Sequence, residues 1–521
     1  MISTIQVEFI YHLPILVSLH SHFLFLPLSP IMKEQNLKDS AEDVEIMPNI
    51  WLSLIPIVVL VAMVTLSVTI FGSDALAGAS QVSLLIATGV SVCLSMWIYN
   101  VSWHKFENAI KTTIGGASVS IIILIIIGML SGAWMISGVV PTMIYYGVQI
   151  MSPQFFLVSA CAICGIVSVM TGSSWTTIAT IGVALLGIGE ALNVPSSWTA
   201  GAIISGAYFG DKMSPLSDTT ILASSSSETD LFTHIRYMFY TTTPSIIITL
   251  LIFLFAGFWY SSGDEVHIAE YTDGLSSKFN ISCWTLLVPL ITAVLIAKKV
   301  PSLITLFVSA LVAGIMAVVL QEDVLIEVAG EETCSVMGLI KGIMTTYFTS
   351  TSVDMGNAAL NDLVSTGGMA GMMNTVWLIL CAMCFGGTMV ASRMLQTLTN
   401  FSLHLVRGTV GLIASTVSTG LIMNITTGDQ YISVILTANM YKDEYRKRGY
   451  ESRLLSRTTE DAVTVTSVLI PWNTCGMTQA TVLGVPTMSY LPYCFFNYIS
   501  PLMSIIVAAI GWKIKRTKPE A

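Results

Sequence analysis

Asp211, Lys212 and Asp218 stand in the stretch 205–220, SGAYFGDKMSPLSDTT, which continues an apolar helix. A carboxylate at membrane depth costs about 2.5–3.5 kcal/mol on insertion scales, so two of them there call for a partner. Pro215 lacks a backbone donor and blocks helix propagation, which frees carbonyl oxygens of the preceding turn. With the two carboxylates and the hydroxyls of Ser214, Ser217 and Thr219, those carbonyls make an oxygen-rich pocket for a hard cation, as at the broken helices of secondary transporters. A plain structural reading instead pairs Asp211 with Lys212 and uses Asp218 to cap the next helical segment. For Lys212 that structural reading is the preferred one.

The chain repeats itself. A shift of 255–256 positions lays Gly132-Ala133-Trp134 on Gly387-Thr388-Met389, Thr171-Gly172 on Thr427-Gly428, Trp175 on Tyr431 and Pro215 on Pro471. An odd number of crossings between the two TG pairs makes the halves inverted, a common way to build transporters. The second break, Pro471-Trp472-Asn473-Thr474-Cys475-Gly476, is uncharged, and Asn473 and Thr474 fall where Ser217 and Asp218 stand. A carboxylate returns at Asp429, flanked by Asn424, Thr426 and Thr427 and placed deepest in its segment. The TG segments could each be two full helices or one re-entrant hairpin, and the small polar residues Thr171, Gly172, Ser173 and Ser174, and Thr426, Thr427, Gly428 and Asp429, favour hairpin tips. Irregular backbone survives at that depth only where protein or a wet cavity satisfies it. Glu460 and Asp461 open the second broken helix within one or two turns of Arg453 and Arg457, which reads as an interfacial salt-bridge network, with a coupling role as the alternative.

Other clusters carry little chemistry. Cys161-x-x-Cys164 and Cys381-x-x-Cys384 lie in apolar helices with no His nearby and read as packing; nine cysteines, mostly in spans, form no disulfide framework. His104, His234, His267 and His404 fall in loops or at helix ends, solvated, with His234 and His404 as conceivable pH sensors. Gly128-xxx-Gly132 and Gly206-xxx-Gly210 let helices approach closely. There is no GxxxxGK[ST] loop, so no ATP-driven step lies within the chain, and no cofactor is expected.

These residues need a bilayer to be buried in. The chain has 521 residues, 54% hydrophobic and 10% charged, against the roughly 25% charged of a soluble domain. A mean hydropathy of +0.77 excludes a water-soluble globule, and a net charge of -9 offers no basic face for nucleic acid. Spans are expected at 50–71, 81–99, 113–138, 237–259, 282–297, 301–320, 374–395 and 491–512, each near the roughly 20 residues that cross about 30 Å of hydrocarbon. The fold expected is an all-α polytopic membrane protein of two inverted repeats, with about ten transmembrane helices, two re-entrant hairpins and two broken helices. The repeats occupy 50–260 and 282–512, joined by an external loop at 261–281, with a second external loop at 321–373 and a cytoplasmic tail at 513–521. Lysines and arginines fix the orientation: all of the 22 except Lys278, Lys341 and Lys212 fall on one side, with Arg393 and Arg457 at helix ends, so both ends of the core are cytoplasmic. Segment 1–49 is cytoplasmic; of it, 1–31 reads as a signal-like stretch, an extra helix or, preferred, an untranslated extension ahead of Met32.

The run GAYFGDKMSPLSDTT at 206–220, with TGSSW before it and TTGDQ and PWNTCG after it, resembles the NhaC-type Na+/H+ antiporter family over about 50–512. That resemblance implies an ion-transporter superfamily fold with paired hairpins and broken helices around a central site. It also implies a prokaryotic inner-membrane location and Na+ or Li+ and H+ as cargo, and it is compatible with a homodimer. It places Asp211, Ser214, Ser217, Asp218 and Thr219 in the cation site, with Asp429 tuning stoichiometry. The function expected is export of Na+ in exchange for H+, because one buried carboxylate can hold a proton or a cation but not both. The alternative is Na+-coupled exchange of organic acids such as malate and lactate, with Ser173, Ser174, Thr427 and the hairpin helix N-termini as anion donors. A channel suits the proline-blocked centre less well, and a membrane enzyme lacks any nucleophile–base pair.

Overall fold

The computed structural model describes residues 47–71, 78–259, 265–404 and 408–516. The expectations for 1–46, including Lys33 and Lys38, and for Arg407 and Lys518 lie outside the described residues.

Long uncharged runs become long helices. Helices α1 (Ile50–Phe71) and α2 (Ala79–Tyr99) pair through the Ser67 and Ser83 hydroxyls, 2.9 Å apart. Helix α3 (Trp103–Ile136) has 34 residues, about 50 Å at 1.5 Å per residue, and so is longer than a bilayer core is thick. A short helix, α4 (Val139–Ile150), leads to a first hairpin of α5 (Pro153–Thr171) and α6 (Ser174–Ala191), the latter with one π turn at Ile178–Gly182. Then come α7 (Ser196–Met213), a break at 214–217, α8 (Asp218–Ser226) and the long α9 (Leu231–Trp259). The second part of the chain runs α10 (Glu265–Lys278), α11 (Leu287–Ala297), α12 (Ser302–Leu320), α13 (Glu322–Ala329), α14 (Val336–Phe348), α15 (Met373–Ala391) and α16 (Met394–His404). A second hairpin, α17 (Gly408–Thr427) and α18 (Gln430–Lys447), precedes α19 (Ser452–Thr459), which continues through a π turn at Glu460–Thr464. After the break at 470–473 come α20 (Thr474–Leu483) and α21 (Phe495–Ile510). Among the described residues nine helices are long and apolar enough to cross a membrane, eleven if two bent pairs each count as one span, and the only β pairing is two isolated bridges. The chain is a polytopic all-α membrane protein.

Glycine sets the closest helix contact. A Cβ on Gly206 would stand 2.0 Å from the Cys161 carbonyl oxygen, and one on Gly210 would stand 2.3 Å from that of Gly165. Hence α7 lies on α5 backbone to backbone, with Cys161 and Cys164 buried as packing. Gly128 and Gly132 do the same for α3, whose added Cβ atoms would reach within 2.4 Å of the Gly368 and Thr346 carbonyl oxygens. The segment 321–373, expected as an external loop, carries α13 and α14, and α14 lies on α3 at Thr346. Its amphipathic pattern is too short to register as a span.

The internal repeat shows in hydrogen bonds. In the first tip the Thr171 and Thr177 hydroxyls are 3.1 Å apart, Thr171 Oγ1 donates to the Ser173 carbonyl at 3.2 Å and accepts from the Ser173 amide at 3.2 Å, and Gly172 has φ +67°. In the second tip, 256 positions on, Thr427 and Ser433 are 2.8 Å apart, Thr427 makes the same two bonds with Asp429 at 3.0 and 3.2 Å, and Gly428 has φ +65°. A residue with a Cβ is strained in that left-handed region, so glycine after threonine is what lets the chain reverse. Ser173 and Asp429 then cap the returning helices, accepting from the Thr176 and Ile432 amides.

Candidate cation site

The break at 214–217 brings the first tip and α7 together. Asp211, 5% exposed, accepts from the Ser174 amide at 3.1 Å, the Ser174 hydroxyl at 2.7 Å and the Ser217 hydroxyl at 2.5 Å. The Ser217 hydroxyl is 3.0 Å from that of Thr219, which donates at 3.1 Å to Glu460 Oε1. Two buried carboxylates from opposite halves are thus joined through two hydroxyls. Ser217 also caps α8, its side chain accepting from the Thr220 amide.

A cavity of about 320 Å³ opens on this cluster. Its walls include Thr171–Ser173 of the first tip, Asp211, Ser217, Asp218 and Thr219 of the break, Gln430 and Tyr431 of the second tip, and Lys299–Leu303 between α11 and α12. Asp218 is exposed there, so the expectation that it is buried like Asp211 is corrected: it begins α8 after the Ser217 cap and faces the cavity. Ser214 is buried but turned away, its hydroxyl accepting from the Leu216 amide at 3.2 Å, so it shapes the break and does not line the carboxylate.

The second tip and second break form a separate cluster. Asp429, 2% exposed, accepts from the Thr474 hydroxyl at 3.3 Å, and the Thr474 amide donates to the Gly428 carbonyl at 2.8 Å. Asn473 caps α20 by accepting from the Cys475 amide at 3.1 Å and donates to the Asn424 carbonyl at 3.1 Å. None of the three lines the cavity; Gln430 and Tyr431, next in sequence, do.

Three further expectations change. Lys212 does not pair with its neighbour Asp211: its ammonium donates to Asp461 and, at 2.8 Å, to Ser500. Glu460 and Asp461 are not interfacial, and Arg457 is not at an exposed helix end, since all three are fully buried. Proximity to Arg453 in the sequence drew them to the surface, but α19 runs inward from Ser452. His234, expected in a solvated position, is fully buried, with its Nδ1 2.5 Å from the Ser456 hydroxyl. Outside the spans, Glu228 holds α18 through Lys442 and, at 2.9 Å, Arg446. The hydrogen bond from Lys442 holds its carboxyl below the usual carboxylate range.

The stretch 206–512, which contains both breaks and the second tip, matches the model of the Na+/H+ antiporter family. The chain belongs to this family. Curated relatives cover about four fifths of its length. The chain is similar to the Na(+)/H(+) antiporter NhaC of Bacillus subtilis, with 34% identity over 82% of this chain and 92% of that one. It is similar to NhaC of Alkalihalophilus pseudofirmus at 37% identity over 79% and 86%, and to the malate-2H(+)/Na(+)-lactate antiporter of Bacillus subtilis at 35% identity over 84% and 91%. Family membership makes this a transporter architecture, and the Asp211 cluster is where its geometry gathers oxygens around a cavity.

Ser217→Ala is expected to show how far the cluster depends on that one hydroxyl. The substitution removes a donor to Asp211, the link to Thr219 and the cap of α8, a cap being worth about 1 kcal/mol. Its effect should be a severalfold rise in the Na+ concentration for half-maximal transport with little loss of folded protein, read by titrating Na+ into reconstituted vesicles.

Proposed function

We propose that this protein is a secondary active antiporter of the prokaryotic inner membrane that exports cytoplasmic Na+, or Li+, in exchange for external H+ by alternating access. The observation that carries the reading is Asp211: a buried carboxylate held by the Ser174 and Ser217 hydroxyls on the wall of a cavity. Hydroxyls suit both occupants. They donate to the bare carboxylate, and on rotation their lone pairs turn to a bound cation. Burial disfavours the ionised acid and a bound cation favours it, so proton and Na+ compete for one group and exchange follows without a second site.

The cavity wall includes Lys299 and Val300. By the distribution of basic residues Lys299 lies toward the cytoplasm, as do both ends of the core, and this is the side from which Na+ is taken. Release outside requires the tips and broken helices to shift against the other helices so that the cavity closes at Lys299 and opens opposite. Asp218 receives the ion at the cavity wall. Asp429, with Thr474 and Asn473, is the counterpart in the second half and sets the charge there. The reading requires no cofactor.

Because one relative exchanges organic acids, the test has two arms. Vesicles containing the purified protein and a trapped pH probe are given Na+ alone, or Na+ with malate on one side and lactate on the other. Proton movement with Na+ alone supports Na+/H+ exchange. A strict requirement for the organic acids would replace it with the coupled exchange.

A further inference from the structure

Lys212 is fully buried, one residue from Asp211, on the helix that carries the cation site. A permanent cation beside a cation site is a competitor for it, unless something holds it elsewhere. Asp461 is the group that does. Its Oδ1 accepts from the Lys212 ammonium and from the Thr241 hydroxyl at 3.2 Å, and its Oδ2 accepts from the Ser504 hydroxyl at 2.8 Å. The same Oδ2 faces Arg457 at 3.8 Å, a fully buried guanidinium that stacks on the Tyr237 ring at 4.8 Å and has no hydrogen-bond partner on any of its nitrogens. Three hydroxyl donors, Thr241, Ser504 and, at 3.5 Å, Ser500, fix the Asp461 carboxylate in place beside the Lys212 ammonium, on the π turn of the opposite half.

The next residue back on that turn, Glu460, belongs to the site's hydrogen-bond chain through Thr219 and lies in the field of the same ammonium. One of its oxygens, Oε2, is buried without a partner. If Asp461 lost its charge, Glu460 would offer the ammonium a buried carboxylate with an open acceptor, and the ammonium would swing to it. A dehydrated cation cannot stay unpaired in an apolar interior.

We infer that Asp461 is a positioning residue that sequesters the Lys212 ammonium, keeping an internal cation from occupying the carboxylates that the transported cation needs. The inference rests on the assignment of the Asp211 cluster as the cation site. It makes affinity for Na+ depend on a residue that does not touch the ion. It also predicts an inversion that a packing role does not: removing the lysine should repair damage done by neutralising the aspartate.

The test uses the full-length protein, purified, reconstituted and normalised to folded transporter, with Na+-dependent proton movement read by a trapped pH probe. Asp461→Asn should raise the Na+ concentration for half-maximal rate at least tenfold while the maximal rate stays within twofold, the pattern of a competitor. Adding Lys212→Met to Asp461→Asn should bring half-saturation back to within threefold of the parent. Unchanged half-saturation in Asp461→Asn, or no recovery in the double variant, overturns the inference. Should Asp461→Asn not accumulate, the neutral pair Lys212→Met with Asp461→Leu decides. Half-saturation within threefold of the parent supports sequestration, and a shift above tenfold shows that the pair serves packing instead. Asp211→Asn run alongside separates the two levels: if it transports Na+ normally, the cation site itself is wrong, whereas a dead Asp211→Asn with an unaltered Asp461→Asn overturns only the role of Asp461.

Discussion

Asp211→Asn is expected to abolish Na+-driven proton movement, a fall of about 100-fold or more, while the protein still accumulates in the membrane. The amide is the same size as the carboxylate, so α7 and α5 stay packed. Its oxygen can still accept from the Ser174 amide and hydroxyl, although its nitrogen would face Ser217. What is lost is the charge: a hydrogen bond to an ionised group is worth about 1.5–3 kcal/mol, direct ligation of a dehydrated cation more, and each 1.4 kcal/mol is about tenfold. The amide also cannot carry the returning proton. Both halves of the exchange fail together, so a variant that kept proton movement and lost only Na+ selectivity would show that Asp211 is not the shared group. Everted membrane vesicles with a fluorescent pH probe, calibrated to the amount of protein, measure this directly.

The largest effect on stability is expected at Gly210. A Cβ there would meet the Gly165 carbonyl oxygen at 2.3 Å, the Ser168 Cβ at 2.5 Å and the Val169 amide nitrogen at 2.7 Å. Two of the three are backbone atoms of α5 that no rotamer change can move. The Ser168 hydroxyl also donates to the Ala207 carbonyl at 2.6 Å across the same seam, a bond that closes only while the helices touch. Overpacking a well-fitted core costs about 1–3 kcal/mol, and Gly210→Val adds two methyls beyond the Cβ where there is no room for the first. Gly210→Val should therefore lose the monodisperse peak in heated, fluorescence-detected gel filtration, at temperatures where the parent keeps it. Gly89→Ala, on α2 with nothing within 4 Å of an added Cβ, is the control and should match the parent. If Gly210→Val matched it as well, the seam between α5 and α7 would be looser than its geometry.

Much of the site was legible because it was written in local chemistry. Pro215 and Pro471 announce both breaks, since a residue without a backbone donor cannot continue a helix. Thr-Gly announces both tips, since only glycine reverses the chain there without strain. The repeat offset even assigns the caps, Ser173 with Asp429 and Ser217 with Asn473. What was not legible depends on distance in the chain or on shape. Lys212 has a carboxylate beside it in sequence but pairs with one 249 positions away. Nothing in the sequence says which way a helix turns its long side chains. Glu460 was assigned to an interface because arginines precede it by one or two turns; the π turn at Glu460–Thr464, which has no sequence signature, carries it into the core. Asp218 was taken as buried because its surroundings are apolar along the chain, but a cavity is made by elements from both halves, and no single segment predicts where water enters. The helices at 322–348 were missed because they are too short to read as spans.

The contrast between Asp218 and Asp211 has a consequence for how an ion sheds its hydration shell. Na+ holds its waters tightly, and stripping them in one step would be a barrier as high as burying a bare charge. Here the first carboxylate stands in open water at the cavity wall and the second, close enough to feel its charge, is nearly sealed. An ion passing from one to the other exchanges waters for protein oxygens a few at a time. On the cation site proposed above, desolvation is spread over two steps, and Mg2+, which dehydrates reluctantly, stalls at the outer one.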